Sequence, residues 1–526
     1  MPEYLAPGVY VEEISTGPRP IEGVGTSTAG MVGQTERGPE RPTLVTGWLE
    51  YQRLFGGYID SSYLSYAVQG FFENGGQRCV IARVVGQGQD GTATRAGGEV
   101  GGLNVSAIGR GAWGNGVRLR VSPSDPTAPD GSPRRFTVTI LYYRTAPPDP
   151  FIDPLSADRD DLANPNRRDP DLPPEIFTDL TDLDGDSNNA AAIINARSNL
   201  VRVGWVDDPG VLAATDGYVV LEGGSDATVG VDDYIGDEDQ LGNNEELYGR
   251  GRGLRGLELV DDIAILLAPD EARAEFGVNL TNAVIRQCEL LKDRFAVVST
   301  LPGAADVTRL RPPADTLYAG FYYPWIKVFN ATTNRRVLVP PGGHVAGIMA
   351  RTDIERGVHK APANEVVRGA LELEFPVTKG KQDLLNPRGV NCIRDFSSDG
   401  RGIRLWGART MSSDPMWKYV NVRRLFIFIE ESIEQNTQWV VFEPNSDTTW
   451  AAVSRTITNF LIGVWRSGAL MGLTAEEAFF VKCDRTTMTQ DDIDNGRLIC
   501  YIGIAPVKPA EFVIFRISQK TAETEA

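Results

Sequence analysis

The clearest pattern in the chain lies near its C-terminus, where Trp450, Val453, Ile457, Phe460, Leu461 and Val464 recur at three- and four-residue steps. That spacing lays one apolar stripe along a helix capped by Asp447 and leaves Arg455 off the stripe. Around it the signals alternate. Asp414-Pro415 joins a capping residue to a first-turn proline and predicts a helix running to Ile433. A β-type run spans 403–410, and QWVVFEP (438–444), AFFVKC (478–483) and RLICYIGIAP (497–506) read as strands. The last run, EFVIFRIS (511–518), is apolar on both faces and needs a neighbour on each side. It can pair within its own sheet or be lent to another subunit as an added strand.

Upstream, residues 1–20 place Pro2, Pro7, Pro18 and Pro20 around a short β-like run at 8–14, the pattern of an extended arm able to pair with another chain. Next come an expected strand at 27–34, a short one at 43–45, a helix at 63–73 and a strand at 79–85, which is α/β in character. From about 87 to 205 the composition shifts to Gly, Pro and Asp, with strands expected at 103–108, 117–121 and 136–143, so an inserted, mostly β domain is predicted. Residues 145–174 read as a long surface loop. Buried runs at 263–269, 295–300 and 321–328, with a helix at 283–292, then predict a parallel sheet. The expected fold class is therefore α/β (α+β), multidomain. Its parts are an arm at 1–20, a middle α/β domain from 21–88 and 205–365, an outer β insertion at 89–204 and a C-terminal domain at 366–526.

At 526 residues the chain exceeds a single core. Its net charge of -18 argues against a nucleic-acid partner held through phosphates. That charge is uneven: from Lys381 onward 17 basic residues face 18 acidic ones, a net of -1, so the first 380 residues carry -17. Within 388–424, Arg388, Arg394, Arg401, Arg404, Arg409, Lys418, Arg423 and Arg424 face only Asp395, Asp399 and Asp414. This basic segment is either a solvated or internally paired face, or a surface meeting an acidic partner. Five cysteines, odd in number and never in a CxxC pair, predict neither a disulfide framework nor a zinc site. No run is long enough to cross a membrane and residues 1–13 lack the features of a secretion signal, so the chain is expected in the cytoplasm where it is made.

Three groups could carry chemistry. Gly251, Gly253 and Gly256 satisfy GxGxxG, but the preceding EELYGR is polar and supplies no strand, so no cofactor is expected. Asp182, Asp184, Asp186 and Asn188 alternate as in a calcium loop, yet Ser187 stands where the turn needs glycine and no Glu closes the loop. An acidic surface turn is the expectation, with no metal. His344 and His359 are the only histidines, so any nucleophile–base–acid triad must use one of them.

Six segments in order carry a family resemblance: LAPGVYVEE (5–13), LVTGWLEYQRLFGG (44–57), GAWGNGVRLRV (111–121), HVAGIMARTDIERGVHKAPANE (344–365), NPRGVNCIRDF (386–396) and NGRLICYIGIAPVKPAEFVIFRI (495–517). Together they resemble the contractile tail sheath proteins of phages and phage-like injection systems. The resemblance implies a structural subunit, not an enzyme, that stacks in helical rings around an inner tube and meets baseplate and terminator proteins in a tail or tail-like particle. It implies a subtilisin-like middle domain, although neither histidine sits in that protease family's Asp, His, Ser order, and fold likeness carries no activity. It also implies that the arm strand with Val9, Tyr10 and Val11, and the terminal strand with Phe512, Val513, Ile514 and Phe515, are handed to neighbouring subunits. For the tube-facing surface the candidates are Arg455 with Arg466 and Arg423 with Arg424. Two other classes stay open at this stage, a hydrolase on a subtilisin-like core and a surface adhesin using the β insertion.

Overall fold

The computed structural model describes residues 21–87, 91–124, 135–207, 210–236, 251–514 and 516. Contacts divide it into two units, one from Gly25 to Arg423, the other joining residues 21–24 to the chain from Arg424 onward.

In the larger unit the short apolar runs become a nine-stranded sheet. Its order is Glu365–Val366, Ile403–Leu405, Val390–Asp395, Ala319–Tyr323, Phe295–Ser299, Ile265–Leu267, Ala29–Gly33, Cys79–Arg83 and Thr43–Val45. Every pairing from Val390–Asp395 across to Cys79–Arg83 is parallel. Ala29–Gly33 and Phe295–Ser299 are buried at every position, which a parallel sheet covered on both faces requires. On one face Val32, Val80, Leu266 and Val298 pack with Leu280 and Val284 of the Gly277–Leu291 helix. The other face carries the Leu64–Glu73 and Gly342–Arg356 helices, which lie against each other. They approach so closely that a methyl group at Gly343 or Gly347 would collide with the backbone of Ala67 or Phe71.

Two expectations change here. The predicted strand over 321–328 is two strands in different sheets, Ala319–Tyr323 and Ile326–Asn330, because Pro324 has no N–H to continue a ladder. Residues 366–423 were expected in the C-terminal domain, but Val390–Asp395 and Ile403–Leu405 complete the central sheet and belong to the larger unit.

The insertion has its own core, built from Val105, Leu119, Ile140 and Ile194 among others. Antiparallel strands Val117–Pro123, Phe136–Tyr142 and Glu175–Leu180 form one sheet with Val219–Val220, and Gly97–Val100, Leu103–Ala107 and Val201–Trp205 another. Leu212 and Leu221 join that core, so the insertion reaches beyond residue 204. The 145–174 stretch contains one short helix, Arg159–Ala163, and is pinned by Arg120 to Asp153 at 2.5 Å and by Arg118 lying over the Phe151 ring.

The smaller unit holds the second part of the Val420–Asn436 helix, the Asp447–Arg466 helix, and a hairpin in which Phe479–Lys482 pairs antiparallel with Tyr501–Ile504. The strand expected at 438–444 is absent. The helix end runs on through Thr437 N–H to the Ile433 carbonyl, Gln438–Val440 forms a 3-10 turn, and Phe442 sits at φ 69 with its side chain fully exposed. The apolar run is only four residues, 439–442, followed by Glu443 and Pro444, and no strand pairs with it among the described residues.

Candidate assembly interface

The Asp447–Arg466 helix presents the predicted stripe: Trp450, Val453, Ile457, Leu461 and Val464 are buried. Ser446 occupies the cap position, and Asp447 lies in the first turn, where its charge suits the positive end of the helix dipole. Arg455 and Arg466 are exposed and make no ion pair among the described residues. Arg423 and Arg424 are different. Each is only 3% exposed, so neither can serve as the docking surface expected of it. Arg423 stacks over Trp417 at 4.8 Å and Tyr318 at 4.9 Å.

The rest of the basic segment is spent inside the larger unit. Arg388 donates to the Val307 carbonyl, Arg394 to Gln382 Oε1, Arg404 to the Asn364 carbonyl and Arg409 to the Asn386 carbonyl. Backbone carbonyls and a side-chain amide accept from these guanidiniums, so counting nearby carboxylates in the sequence overstates the free positive charge.

The hairpin is the second feature. Each of its strands pairs with the other alone among the described residues, leaving the outer edge of each open. Phe480 lies across Gly503, where a methyl group would strike its ring, and Phe480, Tyr501, Met471 and Leu473 are exposed. Residues 511–514 form no strand; Phe512, Val513 and Ile514 are 69%, 68% and 77% exposed. The other candidates for exchanged strands, Val9, Tyr10, Val11 and Phe515, lie outside the described residues.

The groups flagged for chemistry are turned to structural use. Asp182 accepts from the Leu212 N–H and Asp186 from the Asn188 N–H, and no cluster of metal-ligating side chains occurs among the described residues. Gly253 opens the short Gly253–Glu258 helix, where a methyl group would collide with the Tyr234 carbonyl. His344 is buried, its Nδ1 lacks a partner, and burial lowers its pKa to about 4. Sequence reading missed the molecule's buried acids. In the parallel sheet the strand order reverses between Ala29–Gly33 and Ile265–Leu267, and beyond the carboxyl ends of strands at such a point lies the usual ligand crevice. Here Asp270 fills it, accepting from Ser62 Oγ at 2.6 Å, Tyr63 N–H at 2.7 Å and Tyr234 Oη at 2.7 Å. Beside it Glu271 accepts from the Ser299 N–H at 2.8 Å, and burial pushes its carboxyl up to about 8.

Family models described as the phage tail sheath protein central domain and the phage tail sheath C-terminal domain match residues 255–411 and 412–520, together just over half of the chain. The chain belongs to the contractile tail sheath family. Among its relatives, a tail sheath protein of Vibrio phage KVP40 is 23% identical over 348 residues, which is 62% of this chain and 48% of that protein. One from Burkholderia phage BcepMu is 31% identical over 162 residues, 29% of this chain and 34% of that protein. This sheath-family chain thus spans about a quarter to a half of the length of the curated relatives it matches. Solved sheath structures share the fold: the PVC sheath complex of an extracellular contractile injection system, in its contracted state, gives a TM-score of 0.57 at 22% identity and covers 99% of both chains. A sheath tail protein from Listeria innocua gives 0.58 at 11% identity, covering 93% of this chain and 96% of that one.

Proposed function

We propose that the chain is the repeating subunit of a contractile sheath: it polymerises in helical rings around an inner tube and shortens from a metastable extended state to drive that tube through a target envelope. Beyond family membership, one observation carries the reading. In a single unit, a hairpin with two open edges lies alongside a tail whose apolar residues Phe512, Val513 and Ile514 have no strand partner among the described residues. A two-stranded sheet is marginal alone and gains stability from a third or fourth strand. Strands containing Val9–Val11 and Phe512–Phe515 of neighbouring copies would supply them by edge addition.

Arg455 and Arg466 are the residues we assign to the grip on the tube. Exposed charge pairs are weak, roughly 0.2 to 1 kcal/mol each, but they repeat in every subunit and break without a large desolvation cost. The subtilisin-like comparison of the middle domain concerns architecture, and the buried state of His344 and the filled crevice at Asp270 favour a structural role over hydrolysis. Contraction would draw on energy stored in the extended assembly; even a few kcal/mol per subunit, a small part of an ordinary interface, sums to a large total. Baseplate and terminator proteins at the two ends, and assembly in the bacterial cytoplasm, complete the reading.

Negative-stain electron microscopy of the purified chain tests it. Helical tubes are the expected product. A protein that stays monomeric across concentrations and salt conditions, including beside its tube protein, overturns it.

A further inference from the structure

The two strands of the hairpin pair from Phe479 with Ile504 to Lys482 with Tyr501, so one further step brings Cys483 opposite Cys500. The Ala505 N–H donates to the Ala478 carbonyl at 2.9 Å, which sets the alternation of the ladder. Counting along from that hydrogen-bonded pair, Cys483 and Cys500 fall at a non-hydrogen-bonded position. Opposed Cα atoms there stand about 4.5 Å apart, inside the roughly 4.4 to 6.8 Å that a disulfide spans. The two thiols already share a hydrogen bond, and both are free. Cys483 is buried with Trp450 and Met488, while Cys500 is partly open. The remaining cysteines, Cys79, Cys288 and Cys392, are buried in the larger unit.

We propose that Cys483 and Cys500 are a redox-sensitive pair that closes into a cross-strand disulfide on exposure to a peroxide. Cys500, the more accessible, reacts first: its thiolate sulfur attacks one peroxide oxygen, the O–O bond breaks, and a sulfenic acid and water result. The Cys483 sulfur then displaces the hydroxyl from that sulfenyl sulfur, forming the S–S bond and releasing a second water, so two electrons pass from the sulfur pair to one peroxide. Burial raises both thiols, Cys500 to about 12, so thiolate is scarce and oxidation is slow at neutral pH. The inference does not depend on the sheath reading. If that reading holds, the bond fastens the sheet that takes strands from neighbours, and does so only after the particle has left a reducing interior.

The test is to treat the purified full-length chain, under native conditions, with hydrogen peroxide, and to count free thiols in denaturant before and after. Two of the five thiols should be lost, non-reducing peptide mapping should find residues 483 and 500 linked within one chain, and a reductant should restore both. Cys500→Ser and Cys483→Ala, each checked for native circular dichroism, should yield no such link. The proposal is overturned if the pair stays reduced while the unfolded chain oxidises, if Cys500 accumulates as sulfinic or sulfonic acid, or if the new bond joins two chains.

Discussion

Asn436 grips the backbone of Glu22 from both sides: its Oδ1 accepts from the Glu22 N–H at 3.3 Å and its Nδ2 donates to the Glu22 carbonyl at 3.0 Å. One helical turn earlier, Ser432 Oγ accepts from the Val24 N–H at 3.1 Å, and Gly23 leaves room for the Phe428 ring. The exposed end of this helix therefore treats residues 22–24 as a neighbouring strand would, with side-chain groups in place of a ladder.

Asn436→Ala removes both bonds at once. A net loss of about 1 to 2 kcal/mol is expected, confined to this attachment, so limited proteolysis should cut near residues 21–24 while the remainder resists. Equal protease resistance in the two proteins would show that the clamp contributes nothing.

Charge reversal separates the two arginine pairs. Arg455→Glu with Arg466→Glu should leave the fold and sheath-only polymers intact and reduce co-sedimentation with tube protein at low salt. Arg423→Ala should act on stability alone, by about 2 kcal/mol in denaturant titration, because it empties a buried site between two aromatic rings. Undiminished tube binding by the first pair would remove the electrostatic account of attachment.

Replacing Phe512, Val513 and Ile514 by serine tests the tail. These side chains are exposed in the isolated chain, so circular dichroism and melting temperature should be unchanged, while electron microscopy should find short or absent tubes. A cooperative loss of folding would instead place these residues in their own subunit's core.

Glu271 makes stability depend on pH in an unusual direction for a carboxylate. Its folded-state value of about 8 lies above the ordinary 4.5, so between those limits the folded chain holds a proton that the unfolded chain has released. Stability therefore falls as pH rises through that window and levels off above it. Glu271→Gln keeps an acceptor for the Ser299 N–H and abolishes the titration. Its denaturant midpoint should match the parent near the lower limit and exceed it near the upper one. A constant difference across the range would mean that Glu271 is charged in the fold.

What was legible in the sequence depended on burial being one-sided or total. The Asp447–Arg466 stripe was readable because one face is apolar, and Ala29–Gly33 or Phe295–Ser299 because every position is. The Trp48–Phe55 helix escaped notice since it buries only Tyr51 and Phe55, a single pair one turn apart. Residues 438–444 have a strand's composition without a strand's neighbours. Arg423 looked like surface charge because no sequence pattern reports a guanidinium laid on Trp417 and Tyr318. The Cys483 and Cys500 pair was hidden for a related reason: their meeting depends on the register of a hairpin whose long connecting segment, 484–499, cannot fix it as a two-residue turn would.

The smaller unit draws on residues 21–24 and on everything after Arg423, with nearly four hundred residues of the other unit threaded between. A ribosome adds roughly 5 to 20 residues per second, and domains fold as they emerge. The larger unit can thus be finished while the partner strands of the smaller one are still untranslated. The hairpin proposed to accept strands is made after the larger unit, so an arm presented early would find no finished acceptor on a chain still in synthesis. Order along the chain then sets an order of events, with the larger unit folded first and the proposed acceptor completed afterwards.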